Sequence, residues 1–178
     1  ILPMNSGAEA VETAIKLARK WGVQKKNIPQ EAAQIIVCHN NFHGRTTTII
    51  SFSDDQGAKN DFGPYTPGFI AIPHNDLDAL KKVLEANKNI VGFLMEPIQG
   101  EGGIRVPQDG YLEGLRALCD QGPLPYMYSR SVLSEQICGI QLHDSYSFTR
   151  KVIGFNQGLC PKVEGRPTLV CFCGGWHF

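Results

Sequence analysis

Residues 90–96 read IVGFLME, six residues without a polar side chain closed by a carboxylate. Alternation is absent, so the run does not suit a strand with one wet face. It suits a strand buried on both sides, as in a parallel sheet covered by helices. AQIIVCH, residues 33–39, has the same texture, and FIAI, 69–72, is short enough to be a further strand.

The segments between these runs have the other period. In NSGAEAVETAIKLARKWG (5–22), Ala10, Val11, Ala14, Ile15, Ala18 and Trp21 recur at steps of three and four, which predicts a helix with one apolar stripe. Ser6 followed by Glu9 forms the capping-box pattern at its start, and Gly22 is its expected end. NDLDALKKVLEAN (75–87) predicts a helix capped by Asn75, with acidic residues in the first turn, and YLEGLRALCDQ (111–121) predicts another. TTTIISFS (46–53) suits helix or strand equally, whereas DDQGAKNDFGPYTPG (54–68) is loop. Strand and helix alternating without hairpin signals argue for an α/β fold, a mostly parallel sheet with flanking helices. Its ligand site should lie at the carboxyl ends of the strands.

Composition narrows the function. With 17 Lys plus Arg against 17 Asp plus Glu, the chain has no general pull toward nucleic acid or anionic lipid, so an anion site must be local. No apolar run reaches the length of about eighteen residues that a membrane helix needs. The first residue is Ile1, with no basic leader before an apolar core, and reads as a cut edge. Six cysteines without regular spacing suit a reducing compartment better than a disulfide scaffold. Cys171, Cys173 and His177 lie close together in CFCGGWH, but their spacing departs from that of structural zinc ligands, so no metal is expected.

Three loops carry chemistry. MNSG (4–7) runs into a helix N-terminus, where unpaired amides and the helix dipole favour an anion. Gly7 there lets a ligand approach the backbone, and Ser6 offers a hydroxyl, although most capped helices bind no phosphate. CHNNFHGRT (38–46) should bring Phe42, His43 and Arg45 to the ligand edge, a ring to stack on an aromatic group and a guanidinium for a carboxylate. The plain alternative is a surface loop with one anchoring Phe. MEPIQGEGG (95–103) places Glu96 and Glu101 around Gln99, either to orient polar groups or, for Glu96 and Pro97, merely to end the strand.

MNSGAEAVETAIKLARKWG (4–22), NNFHGRTTTIISFS (40–53), FGPYTPGF (62–69) and MEPIQGEGGIRVPQDGYL (95–112) together resemble the class III aminotransferases. These are fold type I enzymes that use pyridoxal 5'-phosphate. The likeness runs from Leu2 to about Cys119. SGAEA, FHGRT and EPIQGEGG fix the class, while FGPYTPGF and RTTTIISFS favour its ornithine aminotransferases over the acetylornithine or other ω-amino acid transaminases. The resemblance implies a partial large domain of a fold type I transferase over residues 1–121. It implies that Ser6, Gly7 and Ala8 hold the cofactor phosphate, that Phe42 stacks on its ring and that Glu96 stands behind that site. Arg45 would pair with a substrate carboxylate. Glu101 would be a gate carboxylate alternating between an arginine of the family's later small domain and the amino acid. Ornithine and 2-oxoglutarate would be the substrates. A homodimer or larger assembly in the cytoplasm or mitochondrial matrix would be the setting, with neither nucleic acid nor membrane as partner.

At RALCDQGPLPYMYSR (116–130) the texture changes. Residues 122–178 carry few acids and no sustained period, with weak strands at VIGF (152–155) and TLVCF (168–172), and read as an irregular, unrelated or out-of-frame tail. Nothing there matches the family's Asp-Glu-x-Gln, whose Asp keeps the cofactor's ring nitrogen protonated. Lys151 and Lys162 lack the neighbours of the lysine that holds the cofactor covalently. The chain alone is therefore expected to be inactive, its remaining strands left with an uncovered edge. A non-catalytic product or fragment is the reading from another class.

Overall fold

The computed structural model of the chain describes residues 2–121, 126–129, 137–142 and 170–174. Its elements in order are β1 (Leu2–Met4), α1 (Gly7–Lys26), β2 (Gln34–Cys38), α2 (Thr47–Ile50), α3 (Gln56–Lys59), β3 (Phe69–Ile72), α4 (Leu77–Ala86), β4 (Ile90–Met95) and α5 (Tyr111–Gln121), then β5 (Tyr126–Ser129), β6 (Ile137–Leu142) and β7 (Val170–Gly174). The strands form one sheet in the order β1-β7-β6-β5-β4-β2-β3. β2 runs parallel to β3 and β4, β4 to β5, and β1 to β7, while β6 is antiparallel to both its neighbours.

The two unbroken apolar runs are central strands covered on both faces. On one face Ile35, Val37, Val91 and Leu94 pack against Ala10, Val11, Ala14, Ile15 and Ala18 of α1, with Ile49 and Phe52 beside them. On the other, Ile36, Cys38, Phe93 and Met95 pack against Leu80 of α4 and Tyr111, Leu115 and Cys119 of α5. Burying each large side chain contributes about 1.5–3 kcal/mol, so β2 and β4 are heavily stabilised.

Two helix boundaries differ from the sequence reading. Helix α1 does not end at Gly22 but continues to Lys26, and Asn27 terminates it in the left-handed region at φ 53°. Gly22 instead serves packing: a Cβ there would lie 2.2 Å from Val91 Cγ1, so only hydrogen fits between helix and sheet. Likewise the cap of α4 is Asp76, which accepts from the Ala79 amide at 2.8 Å, not Asn75. Asn75 sits at φ 65° and accepts from the Gln108 amide at 3.0 Å, tying the loop after β4 to the start of α4. TTTIISFS resolves to one helical turn, capped by Thr46.

Beyond residue 121 the described strands join the same sheet. TLVCF overlaps β7, whereas VIGF, Lys151, Lys162 and His177 lie outside the described residues. Strands β5 and β6 had no signal in the sequence, and the expected uncovered edge is not found beside β4, which pairs with β5.

The tight seat of α1 makes Gly22 a test of the packing. Gly22→Ala, which raises helix propensity by about 1 kcal/mol, is expected to destabilise the chain by about 1–3 kcal/mol through overpacking on Val91. Urea unfolding should show part of that loss recovered when Val91→Ala is added. A neutral or stabilising Gly22→Ala would refute the close approach.

Candidate functional site

Because β1, β2 and β4 run the same way, Met4, Cys38 and Met95 end at one edge of the sheet. The three loops singled out in the sequence leave from that edge. The start of α1 keeps the Ser6 half of the capping box, Ser6 Oγ accepting from the Glu9 amide at 3.2 Å, while Glu9 Oε2 accepts from the amide of Asn5, one residue before the cap, at 2.8 Å. The Ala10 amide donates to Ser6 O at 3.1 Å, which leaves the amides of Gly7 and Ala8 without an intrahelical acceptor. These two amides and the helix dipole form a cradle chemically suited to an anion.

The loop 39–46 lies directly against this cradle. Gly44 adopts φ 123°, and a Cβ there would come within 3.0 Å of Ala8 Cβ and 3.2 Å of Ile49 Cδ1. The loop can lie so close only because position 44 lacks a side chain. Arg45, exposed, holds its guanidinium 5.5 Å from the centre of the Phe42 ring. The Phe42 amide donates to Glu96 Oε2 at 3.0 Å, so the end of β4 holds the loop that follows β2.

Glu96 is 1% exposed. Burial pushes its carboxyl up to about 7 and nearby Glu101 adds to the rise, against the Phe42 and Gly100 amides that favour the anion. Glu101 is exposed on the loop after Glu96 and makes no hydrogen bond or ion pair among the described residues. That loop is closed by mutual backbone bonds between Gln99 and Arg105, at 3.1 and 2.8 Å.

His43 does not present its ring at the ligand edge with Phe42 and Arg45. It is 4% exposed, tilted against Phe52 at 6.0 Å, and burial pulls it down to about 3, so it is neutral. Three other residues hold the loops together in roles the sequence did not show. Asn41 donates to the carbonyls of Cys38 (2.7 Å) and Phe52 (3.1 Å). Gln99 donates to His39 O at 2.7 Å, and Asp54 accepts from the Asn40 amide at 2.6 Å. Asn and Gln usually signal surface, and only the fold buries these.

Asn41 Oδ1, Glu96 Oε1 and Gln99 Oε1 are buried oxygens with no hydrogen-bond partner among the described residues, the first and last of them acceptors. Buried polar atoms are normally paired, so these three oxygens, with both ring nitrogens of His43 in the same loops, fit a place that a further group completes. By contrast, a cleft of about 540 Å³ lined by Arg19, Lys20, Val23, Pro67 and Gly68 lies at the amino ends of β2 and β3, away from these loops. No helix among the described residues is long and apolar enough to cross a membrane.

Comparison with known proteins places this arrangement. The family model for aminotransferase class-III matches residues 1–124. Ornithine aminotransferase of Plasmodium falciparum is 52% identical over 119 residues, covering 67% of this chain and 28% of that protein. The mitochondrial ornithine aminotransferase of Arabidopsis thaliana is 54% identical over 120 residues, covering 67% and 25%. The crystal structure of ornithine aminotransferase from Toxoplasma gondii superposes with a TM-score of 0.69 at 46% identity, over 70% of this chain and 30% of that one. Acetylornithine aminotransferase from Elizabethkingia anophelis gives 0.56 at 56% identity, over 70% and 30%. The chain thus spans less than a third of the length of these relatives.

Glu96 and His43 make the site's stability depend on pH in opposite directions. The unfolded chain releases the Glu96 proton near 4.5 and the folded chain near 7, so this contribution is full below 4.5 and lost as pH rises to about 7. The folded His43 ring stays neutral to about 3 while the unfolded ring charges near 6.5, so its contribution is full above 6.5 and lost as pH falls. Glu96→Gln keeps an acceptor for the Phe42 amide and removes the first effect. Its urea midpoint should climb more steeply than the parent's between about pH 4.5 and 7, the two stabilities diverging by roughly 3 kcal/mol. Parallel curves would show that burial does not hold Glu96 protonated.

Proposed function

The chain belongs to the class-III aminotransferases, and on that premise we propose that it is the cofactor-binding part of an ornithine aminotransferase. That enzyme moves the side-chain amino group of ornithine to 2-oxoglutarate, giving glutamate semialdehyde and glutamate. The observation that carries the reading is the seating of the Gly44 loop on the first turn of α1, which sets Phe42 and Arg45 beside an anion cradle. The unpaired oxygen on buried Glu96 supports it, since a site for a ring bearing polar groups needs such an atom close by.

Pyridoxal 5'-phosphate fits the residues present. Ser6, Gly7 and Ala8 would hold its phosphate, Phe42 would cover its ring, and Glu96 would support the site from behind. When bound, this cofactor supplies an electron sink for changes at the carbon bearing the amino group. Arg45 is free to leave Phe42 and fork onto a substrate carboxylate, and exposed Glu101 can take a cationic group. His43, neutral and packed on Phe52, keeps water out from beneath the loop. A dimer or larger assembly in the cytoplasm or mitochondrial matrix is the setting we infer for the complete enzyme, and residues 1–121 and 122–178 are its family and non-family parts here.

A second reading, acetylornithine aminotransferase, is favoured by the 56% identity to the Elizabethkingia anophelis enzyme. Against it stand the higher structural similarity to the Toxoplasma gondii enzyme and the FGPYTPGF segment. Amino-donor preference of a full-length protein carrying this segment separates the two, and a preference for acetylornithine would displace the first.

The 178-residue chain is expected to show no ornithine transaminase activity, since no lysine or aspartate in the family's sequence context occurs in it. Pyridoxal 5'-phosphate should bind it in the high micromolar to millimolar range, roughly 4–6 kcal/mol. Gly7→Val should abolish this binding by filling the phosphate approach, while Lys162→Glu should leave it alone. Turnover with a borohydride-reduced pyridoxyl adduct on Lys151 or Lys162, or submicromolar binding indifferent to Gly7, would overturn the assignment.

A further inference from the structure

The loop carrying Arg45 touches α1 at two points one helical turn apart. Gly44 meets Ala8, and the Thr46 hydroxyl donates to the Glu12 carboxylate. Ala8 and Glu12 are spaced i, i+4 and therefore share a face. Arg45 lies between the two anchored residues, so its backbone is fixed while its side chain remains exposed and, among the described residues, leans on Phe42.

The chemistry of the second anchor is selective. Thr46 caps α2, accepting from the Ile49 amide at 3.4 Å, and this leaves its single proton for Glu12. Both side chains are half-buried, and a hydroxyl given to a carboxylate in such a place is a charge-assisted bond. Glu9, the other acid in the first turns of α1, is occupied by the Asn5 amide and cannot substitute. Gly44 on Ala8 provides closeness but no direction, since van der Waals contact allows the loop to slide. The Glu12–Thr46 bond supplies the direction.

From this we infer that Glu12 and Thr46 are positioning residues for the cofactor site, a clasp that holds the 42–46 loop in register with the start of α1. The clasp sets where Phe42 and Arg45 stand relative to the Gly7 and Ala8 amides. The inference rests on the cofactor-site reading given above and adds to it the pair that determines the geometry. Neither residue touches the ligand; both act through the loop.

The test uses the 178-residue chain and three readouts: pyridoxal 5'-phosphate affinity, inorganic phosphate affinity, and amide hydrogen exchange at residues 42–46. Thr46→Val and Glu12→Ala remove the bond, whereas Thr46→Ser and Glu12→Gln keep a donor and an acceptor. The first pair should weaken pyridoxal phosphate about tenfold and speed exchange by a similar factor. Inorganic phosphate, which needs only the cradle amides, should change by less than about twofold, as should every readout in Thr46→Ser, while Glu12→Gln, which keeps the acceptor but gives up the charge, should fall between Thr46→Ser and Thr46→Val. Equal damage from Thr46→Ser and Thr46→Val would overturn the clasp. So would a parallel loss of phosphate affinity, which would mean a general role in α1. If the parent chain binds neither ligand, the cofactor-site reading fails by itself. Exchange in Thr46→Val against Thr46→Ser then still decides whether the bond holds the loop, and unchanged exchange would end the proposal.

Discussion

Helix α1 lies on the sheet closely enough for everything else to follow. Ala10, Ala14, Ala18 and Gly22, spaced by four, are all buried on the face turned to β2 and β4. Small residues at that spacing form a shallow furrow along the helix, and Val91 fills its lower end at Gly22. Lys26 adds a pin at the same end, its ammonium donating to Ile90 O at 3.0 Å. With the far end of the helix fixed against β4, the near end has one place to be, beside the loops leaving β2 and β4. A helix N-terminus binds anions usefully only when tertiary packing immobilises it, because isolated helices are marginal in water. The small-residue seam is therefore the physical basis of the site as well as of the core.

The loops at the site hold one another more than they are held by the sheet. Glu96 accepts from the Phe42 amide, Gln99 donates to His39 O, and Asp54 accepts from the Asn40 amide. Gly102 lets the loop after β4 pass close to Asn40, since a Cβ there would lie 2.4 Å from Asn40 O. Such a mesh of side-chain to backbone bonds fixes irregular chain that has no ladder of its own. It also explains why buried polar residues gather here: Asn41, His43, Glu96 and Gln99 all lie in these two loops. Two of them carry opposed pH responses, Glu96 raised and His43 lowered, both because burial favours the neutral form.

The described strands beyond residue 121 are bound to the family segment by backbone pairing. β5 extends the parallel run beside β4, and β7 covers the edge of β1. Backbone hydrogen bonds ask little of the sequence, which is why residues lacking a clear period can still lie in a ladder. The pairing says nothing about catalytic groups, and the likeness to the aminotransferases stops near residue 124.

The sequence by itself determined the parts whose signals are local. IVGFLME and AQIIVCH declared doubly covered strands because burial on both faces removes alternation, and Ser6 with Glu9 declared the start of α1 because a capping box needs only three residues of spacing. The start of α1, Phe42, Arg45 and Glu96 were legible as lying at loops that leave one edge of the sheet. What the sequence left open was decided by contacts between distant residues. Gly22 looked like a stop and is a packing contact with Val91; Asn75 looked like a cap and is a partner of Gln108; His43 looked like a ligand-edge group and faces Phe52. The partners are 69, 33 and 9 positions away, so helical period and capping pattern carry no information about them. The Glu12–Thr46 bond, across 34 positions, belongs to the same class: its meaning exists only once α1 is laid on the sheet and the loop after β2 is brought over its first turn.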